Sequence, residues 1–226
     1  MRVLVVAAHP DDEVLGCGGT MARLAREGHE VYLSIIAEGM TSRAASREAA
    51  DRTAVESLHA RARQAAKLLQ VKETFLHGLA DNRLDTVPLL EVVRIVETLV
   101  KDLSPTRIYT HHPGDLNIDH KVVSRSVLTA TRPMPGCAIK EVYQFEVPSS
   151  TEWAFQQCGD SFRPNTFVDI GQTLELKVKA LACYESEVRP FPHPRSAEAT
   201  RAIAQRWGTV AGCGAAEAFQ LVRAVV

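Results

Sequence analysis

Val3-Leu4-Val5-Val6-Ala7-Ala8-His9-Pro10-Asp11-Asp12-Glu13-Val14-Leu15-Gly16-Cys17-Gly18-Gly19 opens the chain and decides how the rest is read. Residues 3–8 are a continuous apolar, largely β-branched run, the pattern of a central strand buried on both faces of a parallel sheet. The run breaks into an acidic turn stiffened by Pro10. Residues 14–26 then carry apolar side chains at helical spacing, up to a stop at Gly28. A second apolar strand follows at residues 31–36. Strand, helix, strand makes a βαβ unit, in which the strands are parallel and the crossover is right-handed.

The alternation continues to the end of the chain. Helices are predicted at residues 48–69, 89–103, 120–131, 174–185 and 198–206. Strands are predicted at 74–79, 107–111 and 142–145, with a late strand at 218–226 on the sheet edge. This predicts a single Rossmann-like α/β domain over residues 1–226, doubly wound, with a mostly parallel sheet and helices on both faces. Composition agrees. Of 226 residues, 46% are hydrophobic and 23% charged, proportions of a globular chain that exclude disorder, collagen-like repeats and coiled coils. Lys and Arg total 26 against 27 Asp and Glu, so no nucleic-acid-tracking surface or anionic-membrane patch is expected. The opening apolar run is too short for a signal-peptide core, and no stretch approaches the roughly 20 apolar residues of a membrane span. Cys17, Cys137, Cys158, Cys183 and Cys213 form no C-x-x-C pair, which points to a reducing compartment and a cytoplasmic location.

Ligands of open parallel sheets bind outside the carboxyl ends of the strands, so the residues following each strand carry the functional signal. His9, Asp11, Asp12 and Glu13 follow the first strand, and Glu38, Thr41 and Arg43 the second. His77, Asp81, Asn82 and Arg83 accompany the third, and His111, His112, Asp115, Asn117, Asp119 and His120 the fourth. His9 and Asp12, three apart, can converge on one point, and His120 supplies a third ligand from a distant strand end. Two imidazoles and one carboxylate with an open position describe a catalytic zinc site, leaving Asp11 as a base for the attacking water. The competing reading makes Asp11 and Asp12 a helix cap and first-turn carboxylates. Gly16, Gly18 and Gly19 follow the acidic turn instead of the strand, which favours close helix-to-sheet packing over a phosphate loop. Trp153 and Phe155 read as core residues.

The segments Ala8-His9-Pro10-Asp11-Asp12-Glu13 and His111-His112-Pro113-Gly114-Asp115-Leu116-Asn117-Ile118-Asp119-His120 together resemble the PIG-L/LmbE deacetylase family. So do residues 78–85, 144–153 and 184–196. The resemblance implies a zinc-dependent hydrolase that removes N-acetyl groups, mostly from glucosamine-type sugars. It implies His9, Asp12 and His120 as ligands of one zinc or other divalent ion per chain, and Asp11 as general base. Asp119 would orient the ligands, and His193, in the His-Pro-Arg-Ser segment, would stabilise the oxyanion in its protonated form. Some family members carry a histidine where this chain has Asn117, so a proton-donor role there does not transfer. Asn117 remains a candidate substrate contact, with Arg43 and Arg83. The implied partner is a small N-acetylated sugar. In some relatives the histidine comes from a neighbouring subunit, which leaves room for a homo-oligomer.

Two other functions compete. Two histidines and a carboxylate also describe a non-haem iron(II) oxygenase. A non-catalytic sugar-nucleotide-binding module would need a phosphate-compatible turn directly after the first strand, where this chain has carboxylates.

Overall fold

Side chains alternate across a strand, so a central strand without polar residues must be covered on both faces. In the computed structural model, which describes residues 1–226, β1 (Arg2–Ala7) sends Val3 and Val5 into one apolar core and Leu4 and Val6 into another. Helices α1 (Asp12–Arg26), α2 (Arg52–Leu68) and α5 (Leu174–Ala182) contribute to the first core. Helices α3 (Leu89–Leu103) and α4 (Ile118–Ala130) contribute to the second. A smaller cluster at Ile170, Ala204 and Ala215 seats α6 (Ala197–Ala211). No helix is long and apolar enough to cross a membrane.

The other strands are β2 (Glu30–Ala37), β3 (Glu73–Leu79), β4 (Arg107–His111), β5 (Glu141–Phe145), β6 (Thr166–Asp169) and β7 (Ala216–Ala224). All seven form one sheet in the order β3-β2-β1-β4-β5-β7-β6. The first five are parallel, and β7 runs antiparallel to both neighbours. From β1 the chain crosses to β2 on one side, while β4 pairs with β1 on the other. Their carboxyl ends therefore flank the switch point at which such sheets bind ligands.

The predicted architecture holds, with local corrections. The C-terminal strand is not at the edge. The four-residue β6, too short to show a period in sequence, takes the edge and leaves β7 inside, with Phe219 fully buried. Asp51 caps α2 through the Thr53 N–H, so that helix starts at Arg52 and not at Glu48.

Close packing explains two glycines. A Cβ on Gly16 would lie 2.3 Å from the Phe145 ring, and one on Gly19 would lie 2.8 Å from Ile170. Between them α1 is interrupted at Cys17. The Gly19 and Thr20 N–H groups donate to Glu217 of β7, which is paired with Lys177 of α5.

Candidate metal centre and active site

The residues after β1 and those around the start of α4 meet at the β1/β4 switch point. His9 precedes α1, so it does not share a helix face with Asp12. Instead the chain turns, with the Asp12 N–H donating to the His9 carbonyl, and the His9 N–H donates to Asp12 Oδ2 at 2.9 Å. Asp12 Oδ2 also lies 3.2 Å from His9 Nδ1 and 3.1 Å from His120 Nε2. The donor atoms of His9, Asp12 and His120 all fall within 4.8 Å of one another.

Each imidazole has a carboxylate against its other nitrogen. His9 Nε2 lies 3.0 Å from Asp119 Oδ2, and His120 Nδ1 lies 3.1 Å from Asp115 Oδ1. Carboxylates placed this way raise ligand basicity, and the Asp119 contact with His9 is a hydrogen bond that fixes ring orientation. Asp119 is itself fixed, accepting the Asn82 and Leu84 N–H groups. Asp115 accepts hydroxyl hydrogen bonds from Ser150 and Thr151. Burial raises the Asp115 carboxyl, but His120 and the two hydroxyls outweigh it and bring the pKa to about 2. Asp115 is the residue on this rim whose role the spacing alone did not disclose.

A divalent ion fits these residues. His120 is buried, yet neither ring nitrogen has an aligned hydrogen-bond partner, although Nε2 stands 3.1 Å from a carboxylate oxygen. An orphaned buried nitrogen is costly unless something else binds it. His9, Asp81 and Asp119 form a second group of the same size. There, Asp119 is satisfied by two backbone N–H groups, and Asp81 accepts from the Ser42 N–H and hydroxyl. The first group is the better ligand set.

Without metal, charge separation ties the same three residues together. Burial works against protonating His120, but Asp12 and Asp115 lift its pKa to about 9. His9 is raised for the same reason, with Asp119 and Asp12 overriding burial. Burial opposes ionisation of Asp12, yet His120 and His9 hold its carboxyl well below the usual range.

Asp11 stands apart from this set. It occupies the N-cap position of α1, but its side chain makes no capping hydrogen bond. Its Oδ2 instead accepts from Arg195 Nη1 at 2.8 Å. Burial raises the Asp11 carboxyl to about 7, against the pull of Arg195. Arg195 lies 184 positions away, and nothing in the sequence pairs the two residues. Its place in the same Pro-rich loop as His193 was the one available hint.

A cavity of about 550 Å³ opens over His9, Asp11, Asp12 and His120, and its walls include Arg43, Asn117, Trp153 and Arg195. Arg43 donates to Glu187 at 2.6 Å. Asn117 caps α4 by accepting the Asp119 N–H, and its Nδ2 donates to Asn82. Arg83 lies outside, in a neighbouring hollow beside Ser42 and Asn82. Trp153 and Phe155 are 40% and 73% exposed, not core residues, because the short turn after β5 puts Trp153 over the cavity. His193 is not on the cavity wall. It meets Trp153 edge-on at 5.5 Å, and its Nδ1 accepts the Arg195 N–H, leaving hydrogen on Nε2. Burial, then Arg195 and Arg189, lower its pKa, so the charged imidazole expected from the resemblance is disfavoured.

A family model described as PIG-L, GlcNAc-PI de-N-acetylase, matches residues 4–131, which contain both motifs. The chain is 29% identical over 190 residues to the uncharacterized deacetylase YaiS of Escherichia coli K12, covering 81% of this chain and 90% of that one. It is 24% identical over 189 residues to a probable N-acetyl-alpha-D-glucosaminyl L-malate deacetylase 2 of Bacillus cereus, covering 82% and 83%. Its fold also matches GalB, the 4-carboxy-2-hydroxymuconate hydratase of Pseudomonas putida KT2440, with TM-score 0.76, 21% identity, and 100% and 97% of the two chains covered. A hydratase on this fold means the reaction must be argued from the site.

Proposed function

The chain belongs to the PIG-L family of GlcNAc-PI de-N-acetylases, and on that premise we propose a hydrolase that removes an N-acetyl group from a GlcNAc-type amino sugar or its conjugate. One divalent metal, zinc, would be held by His9, Asp12 and His120. The observation that carries this reading is the division of labour among the carboxylates. Asp12 faces both imidazoles, Asp115 and Asp119 back them, and Asp11 is free of capping.

A divalent ion at this position would supply Lewis acidity, of the kind that lowers the pKa of water from about 15.7 to about 7 and polarises an acyl carbonyl. Asp11 accepts the proton of the attacking water. Arg195 holds the Asp11 carboxylate toward the cavity. The C–N bond breaks as Asp11 returns that proton to the leaving amine, yielding acetate and a free amino sugar. The cavity volume suits one sugar ring and part of its substituent. Asn117 and Arg43 meet sugar hydroxyls there, and Arg83 meets a group extending into the neighbouring hollow.

The iron oxygenase reading uses the same ligands but leaves Asp11 without a task. The nucleotide-module reading needs free glycines, whereas Gly16 and Gly19 are filled by packing against Phe145 and Ile170. Acetate release from a panel of N-acetylated sugars, with elemental analysis of bound metal, tests the proposal. Activity should vanish with a chelator. His120→Ala should lose the metal, and Asp11→Asn should keep it while losing about 10²–10⁴-fold in rate. A fully metallated protein that releases no acetate from any of them, or an active Asp11→Asn enzyme, overturns it.

A further inference from the structure

Glu13 has no task in the chemistry above, yet it is buried beside Asp11 and bonded on both oxygens. Its Oε2 accepts the backbone N–H of Asp11 at 3.0 Å, and its Oε1 accepts the Tyr184 hydroxyl at 2.5 Å. Tyr184 is fully buried. Its carbonyl accepts the N–H groups of Glu187 and Val188 at 2.8 and 3.1 Å, where the loop leading to Arg195 begins. Asp11 itself sits at φ 107°, ψ −30°. A residue with a Cβ rarely rests there, and such a conformation persists only where its surroundings impose it. An aspartate at an N-cap ordinarily lies in the β region and accepts an N–H of the first helical turn. Asp11 does neither.

We propose that Glu13 and Tyr184 are a positioning pair for the general base. Glu13 pins the Asp11 N–H in the left-handed conformation, which turns the carboxylate away from the helix cap and toward Arg195. The Tyr184 hydroxyl locks Glu13, and the Tyr184 carbonyl ties down the start of the loop that delivers Arg195. Asp11 is thus held through its backbone by one residue and through its carboxylate by another, and Tyr184 bonds the first directly and the start of the loop that carries the second. Released from Glu13, Asp11 would relax toward an ordinary capping geometry and lose its aim. Neither Glu13 nor Tyr184 lines the cavity, so a purely structural role would lower stability without changing turnover of the folded protein.

The inference rests on Asp11 acting as base, and the test separates the two claims. Glu13→Ala, Glu13→Gln and Tyr184→Phe are compared with wild type for metal content, kcat and KM of acetate release, and hydrogen exchange of the Asp11 amide by NMR. Glu13→Ala and Tyr184→Phe should keep their metal and an unchanged KM, and lose about 10–10²-fold in kcat, the usual cost of a misplaced catalytic group. In Glu13→Ala, exchange of the Asp11 amide should accelerate at least about tenfold, as expected for a hydrogen bond lost locally. Glu13→Gln should restore both readouts, since its carbonyl accepts the Asp11 N–H and its amide donates to the Tyr184 oxygen. If Glu13→Ala does not fold, Tyr184→Phe and Glu13→Gln carry the comparison. Unchanged kcat in metal-loaded Tyr184→Phe or Glu13→Ala overturns the proposal, as does unaltered exchange at Asp11 in Glu13→Ala. So does a Glu13→Gln enzyme as impaired as Glu13→Ala. An active Asp11→Asn enzyme would instead remove the base assignment, and the exchange data would still report whether Glu13 pins the backbone.

Discussion

Replacing Arg195 with methionine removes the cation nearest the proposed base while keeping a side chain of similar length. Arg195 Nη1 lies 2.8 Å from Asp11 Oδ2 and 3.5 Å from Glu187, and its Nε donates to Ser149. Burial dominates the raised Asp11 pKa of about 7; Arg195 opposes it, while Asp12 and Glu187 add to it. An opposite charge within hydrogen-bond range depresses a carboxyl by about 1–3 units, so losing the guanidinium should raise Asp11 by that amount. A Coulomb energy of about 4 kcal/mol for a pair near the surface puts the ceiling close to three units. The base works ionised, so activity is present above its pKa and lost as pH falls through it. The acid limb of kcat/KM in Arg195→Met should therefore move to higher pH by about 1–3 units. At a pH below both limbs the rate should drop by about 10–10³-fold and recover on the alkaline side. A bound cation lowers the base in both proteins, which makes the displacement between the two profiles the quantity to read. Acetate release across pH, with metal content measured on both, supplies it. Arg195→Lys should shift the limb less, because the charge survives without the fork geometry. A lowered plateau with an unmoved limb would refute the reasoning and leave Arg195 as a substrate contact.

Four further outcomes follow from the same geometry. His193→Ala should keep its metal and its kcat, because His193 stands off the cavity wall against Trp153. A loss of about 10²–10³-fold, the usual cost of one oxyanion donor, would refute that placement. Metal binding should release protons from His9 and His120, both raised in the free protein, the second to about 9. Apparent affinity should then fall by about tenfold per pH unit for each proton displaced as pH drops below that value, and calorimetry in buffers of different ionisation enthalpy checks it. Without metal, the stability His120 gains from its carboxylates is complete below its unfolded pKa of 6.5 and lost as pH rises through about 9. Gly16→Ala should destabilise by about 1–3 kcal/mol, since its Cβ overlaps the Phe145 ring, and thermal melting measures it.

The parallel half of the fold is legible because its signals are local. An unbroken apolar run such as Val3–Ala8 has no polar face to expose, so it implies helices above and below. Strand order then follows from the short connections of βαβ units. The ligand set is legible for a related reason: acidic and imidazole residues right after apolar strands have few structural uses, and the sheet gathers its carboxyl ends on one side. Beyond that the sequence is silent. The four residues of β6 carry too little pattern to announce an edge strand, and only pairing along Ala216–Ala224 reveals it. Nothing near Asp11 says that it declines its cap and takes Arg195 as partner. That choice depends on a loop 184 positions away, from which Arg195 Nη1 reaches Asp11 Oδ2. Likewise the carboxylate behind His120 could have been any of several nearby acids, and two hydroxyls after β5 select Asp115. Spacing determines which residues share a rim. Side-chain direction and charge pairing depend on contacts between distant segments, which exist only once the sheet has assembled.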